Sequence, residues 1–188
     1  MFFDTLDQFL DAFRTEKIDR SEEKTPLGEE DIIDELLDLF LLAFYEGSKD
    51  AGKELMMDIE PSVEEAEKVI NKPIDGKTFR DRVHDYVNGN MGDTTGTPAE
   101  AIARVAETDS VRIYNESKLN TGKKYGATQK TWHTMEDWRV RDTHSVLEGV
   151  TVPIDGYFYT YTGAKAQAPS QFGDAAEDVN CRCWLTVK

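Results

Sequence analysis

KTWHTMEDWRVRDTHSVLEG (Lys130–Gly149) and NCRCW (Asn180–Trp184) are the two stretches on which the reading of this chain turns. The first opens with the alternating, aromatic character of a strand, within a β-rich run over 128–134. A short helix is predicted over Val140–Leu147. Between them lie Asp137 and Arg139 in a turn free of proline, with Arg141 at the start of the helix. Arginine matches a carboxylate in a planar, two-pronged pair, so this turn carries the side chains to fix its own shape. The combination suits either a catalytic or metal centre, or a structural clasp.

Spacing separates these readings. His144 follows Arg141 by about one helical turn and is expected to face the sheet. His133 alternates with Trp132, so the two should point to opposite faces of a strand. Cys181 and Cys183 share a face if their segment is extended, and with His144 and His133 could offer four nitrogen and sulfur donors to zinc. Structural zinc sites usually space their cysteines by two to four residues, and Cys-x-Cys lacks that turn. The reading is therefore buried, reduced cysteines with no metal or other cofactor. No serine sits in a nucleophile elbow, and no glycine-rich phosphate loop or His-Glu-x-x-His helix occurs.

Three hypotheses follow. The preferred one is a structural clasp of Lys130, Trp132, Asp137, Arg139, Arg141, His144, Gly149, Asn180, Cys181, Arg182 and Cys183. In it Arg139 and Arg141 pair with Asp137 or a neighbouring carboxylate, and His144 packs inward near Asn180–Cys183. The alternative is a nuclease or transferase using His144, Arg139, Arg141 and Asp137. The third is a small metal-binding interaction module.

Outside these stretches the chain divides. Residues 1–70 hold 21 acidic and 7 basic side chains, so nearly all of the net charge of −15 lies there. Phosphate contacts need Lys and Arg, which argues against nonspecific DNA binding by that part. Phe2, Phe3, Leu6, Phe9, Leu10 and Phe13 form one helical stripe, and residues 15–28 read as a connector. From Glu29 an acidic first turn opens a helix expected to run to about Met57. Leu36, Phe40 and Phe44 make its surface too apolar for a solvated helix, so it is expected to pack against the later helix or a partner chain. They are the candidate partner-binding residues. Pro61-Ser62 restarts a helix, and a further helix is expected over Lys77–Val87. NGNMGDTTGT (Asn88–Thr97) reads as a turn-rich hinge. Thr97-Pro98-Ala99-Glu100 is a capping box with proline at the first helical position, opening a helix over Ala99–Asn120. Further short β-rich runs are expected at Val150–Val152, Tyr157–Tyr161 and Cys183–Val187.

The fold class expected is α+β: an acidic helical portion, 1–96, for partner docking, then a small α+β domain, 97–188, with a short, mostly antiparallel sheet. No run of apolar residues is long enough to span a bilayer, and the acidic start does not read as a secretory signal. Two cysteines one residue apart make no intrachain framework, so a reducing cytosol is the default compartment.

From about Ala101 to Leu185 the ordered features form a series. They are the helix IARVAETDSVRIYNES, then Lys130, Trp132, Asp137, Arg139-x-Arg141, His144 and Gly149, then Phe158, Pro169 and Asn180-Cys181-Arg182-Cys183. In this order they resemble the phage Mu F-like minor head protein domain, the head-morphogenesis domain of tailed bacteriophages. The resemblance implies a virion protein, present in multiple copies in the phage head near the portal and in the host cytoplasm during assembly. Its implied partners are the portal protein and other head-interior proteins, with roles in assembly, DNA packaging or ejection. It leaves room for a weak DNA contact and implies no membrane.

Overall fold

The computed structural model describes Asp4, Leu6, Asp7, Gln8, Asp11 and residues 28–188. Most of the Phe2–Phe13 stripe and nearly all of the 15–28 connector lie outside the described residues. Leu6 is buried, in the same apolar cluster as the long helices.

Helix α1 spans Glu29–Glu54 and begins on three acidic residues, which suit the positive end of a helix. Helix α2 (Val63–Ile70) is capped by Ser62, and α3 (Phe79–Val87) by a box between Thr78 and Asp81. Helix α4 (Pro98–Lys124) starts on the Thr97–Glu100 capping box read from the sequence and runs four residues past the expected end. It is the centre of the molecule, buried along most of its length from Ala101 to Gly122, with α1 packed along it.

Leu36 and Phe40 are fully buried and Phe44 is 3% exposed, all within one cluster with Ile102, Val105, Ala106 and Val111 of α4. Phe40 meets Phe79 edge to face at 5.1 Å. Of the two expected alternatives the structure has packing against the later helix: Leu36, Phe40 and Phe44 are core side chains shared with α3 and α4, which corrects their candidacy as partner-binding residues.

Where α1 and α4 come closest, the contacts change from apolar to small. A Cβ on Gly47 would lie 2.2 Å from the Tyr114 carbonyl oxygen, so only glycine admits this crossing. Ser48 and Ser117 hydroxyls lie 2.6 Å apart, Thr121 donates to Ser48, and Ser117 donates to the Phe44 carbonyl. Further along α4, buried Asp109 accepts from Arg82 of α3 at 2.5 Å.

The C-terminal part forms a three-stranded antiparallel sheet in the order β2–β1–β5. Its strands are β1 (Gln129–His133), β2 (Thr151–Pro153) and β5 (Trp184–Val187). Trp132 stands opposite Leu185, and His133 opposite Trp184. A separate hairpin pairs β3 (Phe158–Tyr159) with β4 (Lys165–Ala166), a strand absent from the sequence reading. Two short helices, α5 (Asp142–Ser145) and α6 (Ala175–Asp178), flank the sheet. The class is α+β, helical first and with a short antiparallel sheet last.

Candidate functional site

Strand β1 alternates as its sequence requires, with Lys130 and Trp132 buried and Thr131 and His133 on the other face. Trp132 is the largest fully buried side chain and anchors a ring cluster. Phe158 lies 5.2 Å from it, His144 5.5 Å and Phe172 5.8 Å. His144 in turn stacks on Phe172 at 5.3 Å. His133 faces away, between Glu148 and Thr186, and stacks on Trp184.

After β1 the chain turns through Glu136, in the left-handed region at φ 51°, and re-enters helix α5 at Asp142. Within this turn Arg139 meets carboxylates, while Arg141 departs from the expected set. Asp137 accepts from Arg182 Nη1 at 2.7 Å and from the Arg139 backbone N–H at 3.0 Å. The Arg139 guanidinium lies 3.8 Å from Glu107 of α4. Arg141 donates to the backbone carbonyl of Val179 and not to a carboxylate. The correction has a physical reason: the segment returning toward β5 brings both a carbonyl and Arg182 onto the turn. Arg141 meets the carbonyl, and Arg182 takes Asp137.

Gly149 closes the α5 turn at φ +71°, where no side chain sits comfortably, and donates its N–H to the Trp132 carbonyl. Asn180, also left-handed at φ 57°, donates its backbone N–H to Thr108 of α4. The bend it makes delivers Cys181 and Cys183 to the buried side.

Three donors converge there. The Sγ atoms of Cys181 and Cys183 each lie 3.6 Å from His144 Nδ1. Both cysteines are free thiols, and all three residues are buried. On the opposite side of the imidazole, Nε2 lies 3.1 Å from Glu177 Oε2, at an angle outside that of a hydrogen bond. Glu177 also accepts from Thr143 at 2.8 Å. The hydrogen bond from Cys183 holds the Cys181 thiol well below its ordinary range, against the effect of burial. The same bond, with burial, pushes Cys183 far up.

Sequence reasoning missed two residues here. Glu177 carries no motif. Asn115, buried in α4, bonds the Cys183 carbonyl and accepts from the Leu185 N–H, acting as a side-chain partner for the strand. A polar amide amid the apolar positions of a helix was the available signal.

The four residues of the enzyme reading, Asp137, Arg139, Arg141 and His144, line one small cavity of about 10 Å³ together with Asn180, Arg182, Val140 and Cys183. That volume is room for one water. A far larger cleft of about 730 Å³ lies between the α2–α4 region and residues 170–179, bordered by Lys72, Arg82, Tyr86, Arg112, Glu116 and Gln171. None of the four lines it.

Lys130 is also buried, with Nζ 5.7 Å over the Phe158 ring and no hydrogen-bond partner. Burial, then repulsion from Lys123, pushes its pKa down to about 8, with Asp155 opposing. The unfolded chain therefore binds this proton more tightly than the folded one. The charged form weakens the fold below about pH 8, and stability rises between about pH 8 and 10.5. Lys130→Met is expected to raise stability at pH 7 by about 1–2 kcal/mol and to flatten that alkaline rise. Urea unfolding at pH 7 and 9.5 checks it; a destabilised variant would mean that the cation–ring contact outweighs the burial cost.

Residues 63–186 match the family described as Phage Mu protein F like protein, about two thirds of the chain. This chain belongs to the phage Mu protein F-like family. The match begins nearly forty residues before the ordered motifs, taking in α2 and α3 as well as the sheet. Among curated proteins the chain is similar to the NAD(+)--arginine ADP-ribosyltransferase EFV of Enterococcus faecalis, 31% identical over 138 residues. That alignment covers 71% of this chain and 28% of the relative, so the chain spans under a third of that protein's length. No solved structure matches. Among the described residues no helix is long and apolar enough to cross a membrane.

Proposed function

We propose that this phage Mu F-like protein is a minor head protein of a tailed bacteriophage, carried in the virion near the portal in multiple copies. On this reading it acts in head assembly, DNA packaging or ejection, through contacts with the portal and head-interior proteins. The family match across residues 63–186 carries the reading.

Two physical features support it. The clasp residues enclose a cavity for one water, too small for a nucleotide or sugar, so the clasp suits holding a fold better than turning over a substrate. The exposed surface carries Trp138, 92% exposed, and Tyr157, Tyr159 and Tyr161 along the β3 hairpin. Tryptophan and tyrosine of this kind are enriched where proteins meet. The acidity of the first 70 residues suits a basic protein surface better than DNA.

The name of the Enterococcus faecalis relative favours a second reading, transfer of ADP-ribose from NAD to arginine. The two readings separate by experiment. Purified particles should contain the chain by mass spectrometry, and the doubly substituted Trp138→Ala, Tyr159→Ala protein should lose roughly tenfold or more in portal co-purification. Labelled NAD should give no incorporation into arginine-rich substrates. Particles lacking the chain, or labelling that tracks with it, would sink the head-protein reading.

A further inference from the structure

We propose that His144, Cys181 and Cys183 form a structural zinc site that pins helix α5 to the segment entering strand β5.

The distances carry the proposal. With Zn–S near 2.3 Å and Zn–N near 2.0–2.1 Å, a tetrahedral ion sets each nitrogen-to-sulfur edge at about 3.6 Å. Both edges here are 3.6 Å, and all three donor atoms lie within 4.8 Å of one another. In the metal-free form one S–H can occupy the Nδ1 lone pair while the other thiol bonds its neighbouring sulfur. An ion at the common point uses that lone pair and both sulfurs at once.

The surroundings fit a metal-bound histidine. Such a histidine commonly turns its other ring nitrogen to a carboxylate, which fixes the ring and raises its basicity. Glu177 stands at that place, 3.1 Å from Nε2, and is itself held by Thr143. Trp132, Phe158 and Phe172 wall the site with rings, which limits access of water and competing ligands. Among the described residues no fourth protein donor joins these three, and the 10 Å³ cavity bordering His144 and Cys183 has room for one water.

The poor spacing of Cys-x-Cys argued against zinc on the premise that the two sulfurs must be joined by a turn. Here the third donor comes from 37 residues away in sequence, so the pair needs only to share one face of an extended segment. His133, the fourth donor once considered, is engaged elsewhere.

The test uses the intact protein purified without added metal and without chelator. Elemental analysis should find about one equivalent of zinc. Removing it with a strong chelator should lower the melting temperature, and adding zinc back should restore it, as binding to the folded state alone requires. Cobalt(II) in place of zinc should give the intense visible bands of a tetrahedral thiolate site. Cys181→Ser and Cys183→Ser should each lose at least tenfold in zinc retention, and Glu177→Gln should bind more weakly by about 10–100-fold while keeping the tetrahedral spectrum. Less than a tenth of an equivalent in the parent protein, with no melting shift on adding zinc and no cobalt–thiolate band, would overturn the proposal. These parent measurements decide the matter even if the cysteine variants fail to fold.

Discussion

Phe40→Asp is expected to leave no cooperative folding transition at 25 °C. Phe40 is fully buried between α4 and α3, edge-on to Phe79. Truncating a buried phenylalanine costs about 3–5 kcal/mol by itself. Aspartate adds an unpaired charge in an apolar cluster, a further cost of several kcal/mol unless it takes up a proton. A domain of this size is stable by roughly 5–15 kcal/mol, so the sum removes most or all of it. Phe40→Leu is the control, with a much smaller cost because it keeps the site apolar. Circular dichroism and urea unfolding of the three proteins check this. Parent-like melting of the aspartate variant would mean that α1 does not pack as described.

The second large effect is expected at Gly47, and its sign is the informative part. Replacing a helical glycine with alanine ordinarily stabilises by about 1 kcal/mol, because alanine is the better helix former. At Gly47 the added methyl would lie 2.2 Å from the Tyr114 carbonyl oxygen, a backbone atom that cannot swing aside. The helices would have to part, disturbing the Ser48–Ser117–Thr121 hydroxyl network and the bond from Ser117 to the Phe44 carbonyl. Gly47→Ala should therefore destabilise by about 2–3 kcal/mol, the range for overpacking a close contact. Urea midpoints report the sign directly. A stabilised variant would show that α1 and α4 can separate freely at this level.

These two positions mark what can be read from sequence and what cannot. Phe40 announced itself through spacing: the apolar repeat of α1 needed cover, and the capping box at Thr97–Glu100 placed the helix that provides it. Both signals are local. Gly47 carries no such local signal, because its purpose is set by Tyr114, far along the chain. The site divides the same way. Alternation along β1 put Trp132 and His133 on opposite faces, and it is the packing of the ring cluster that makes the Trp132 face the inner one. The partner of Arg141 is a backbone carbonyl, which has no sequence signature at all. Glu177 matters through its place beside His144, and Arg182 takes Asp137 only because the returning chain puts it there. β4 is two residues long and carries little periodicity.

Strand β5 also bears on when the chain can fold as it is made. It pairs with β1, its Leu185 N–H bonds Asn115, and its Val187 N–H reaches Glu54 at the end of α1. Val187 and Glu54 are 133 residues apart, so the ribosome must release nearly all of this stretch before the sheet can close. Until then the partner edge of β1 stays open, and the helices wait without their last support. Contacts of such long reach slow folding, because the loop entropy is lost before the contact is gained.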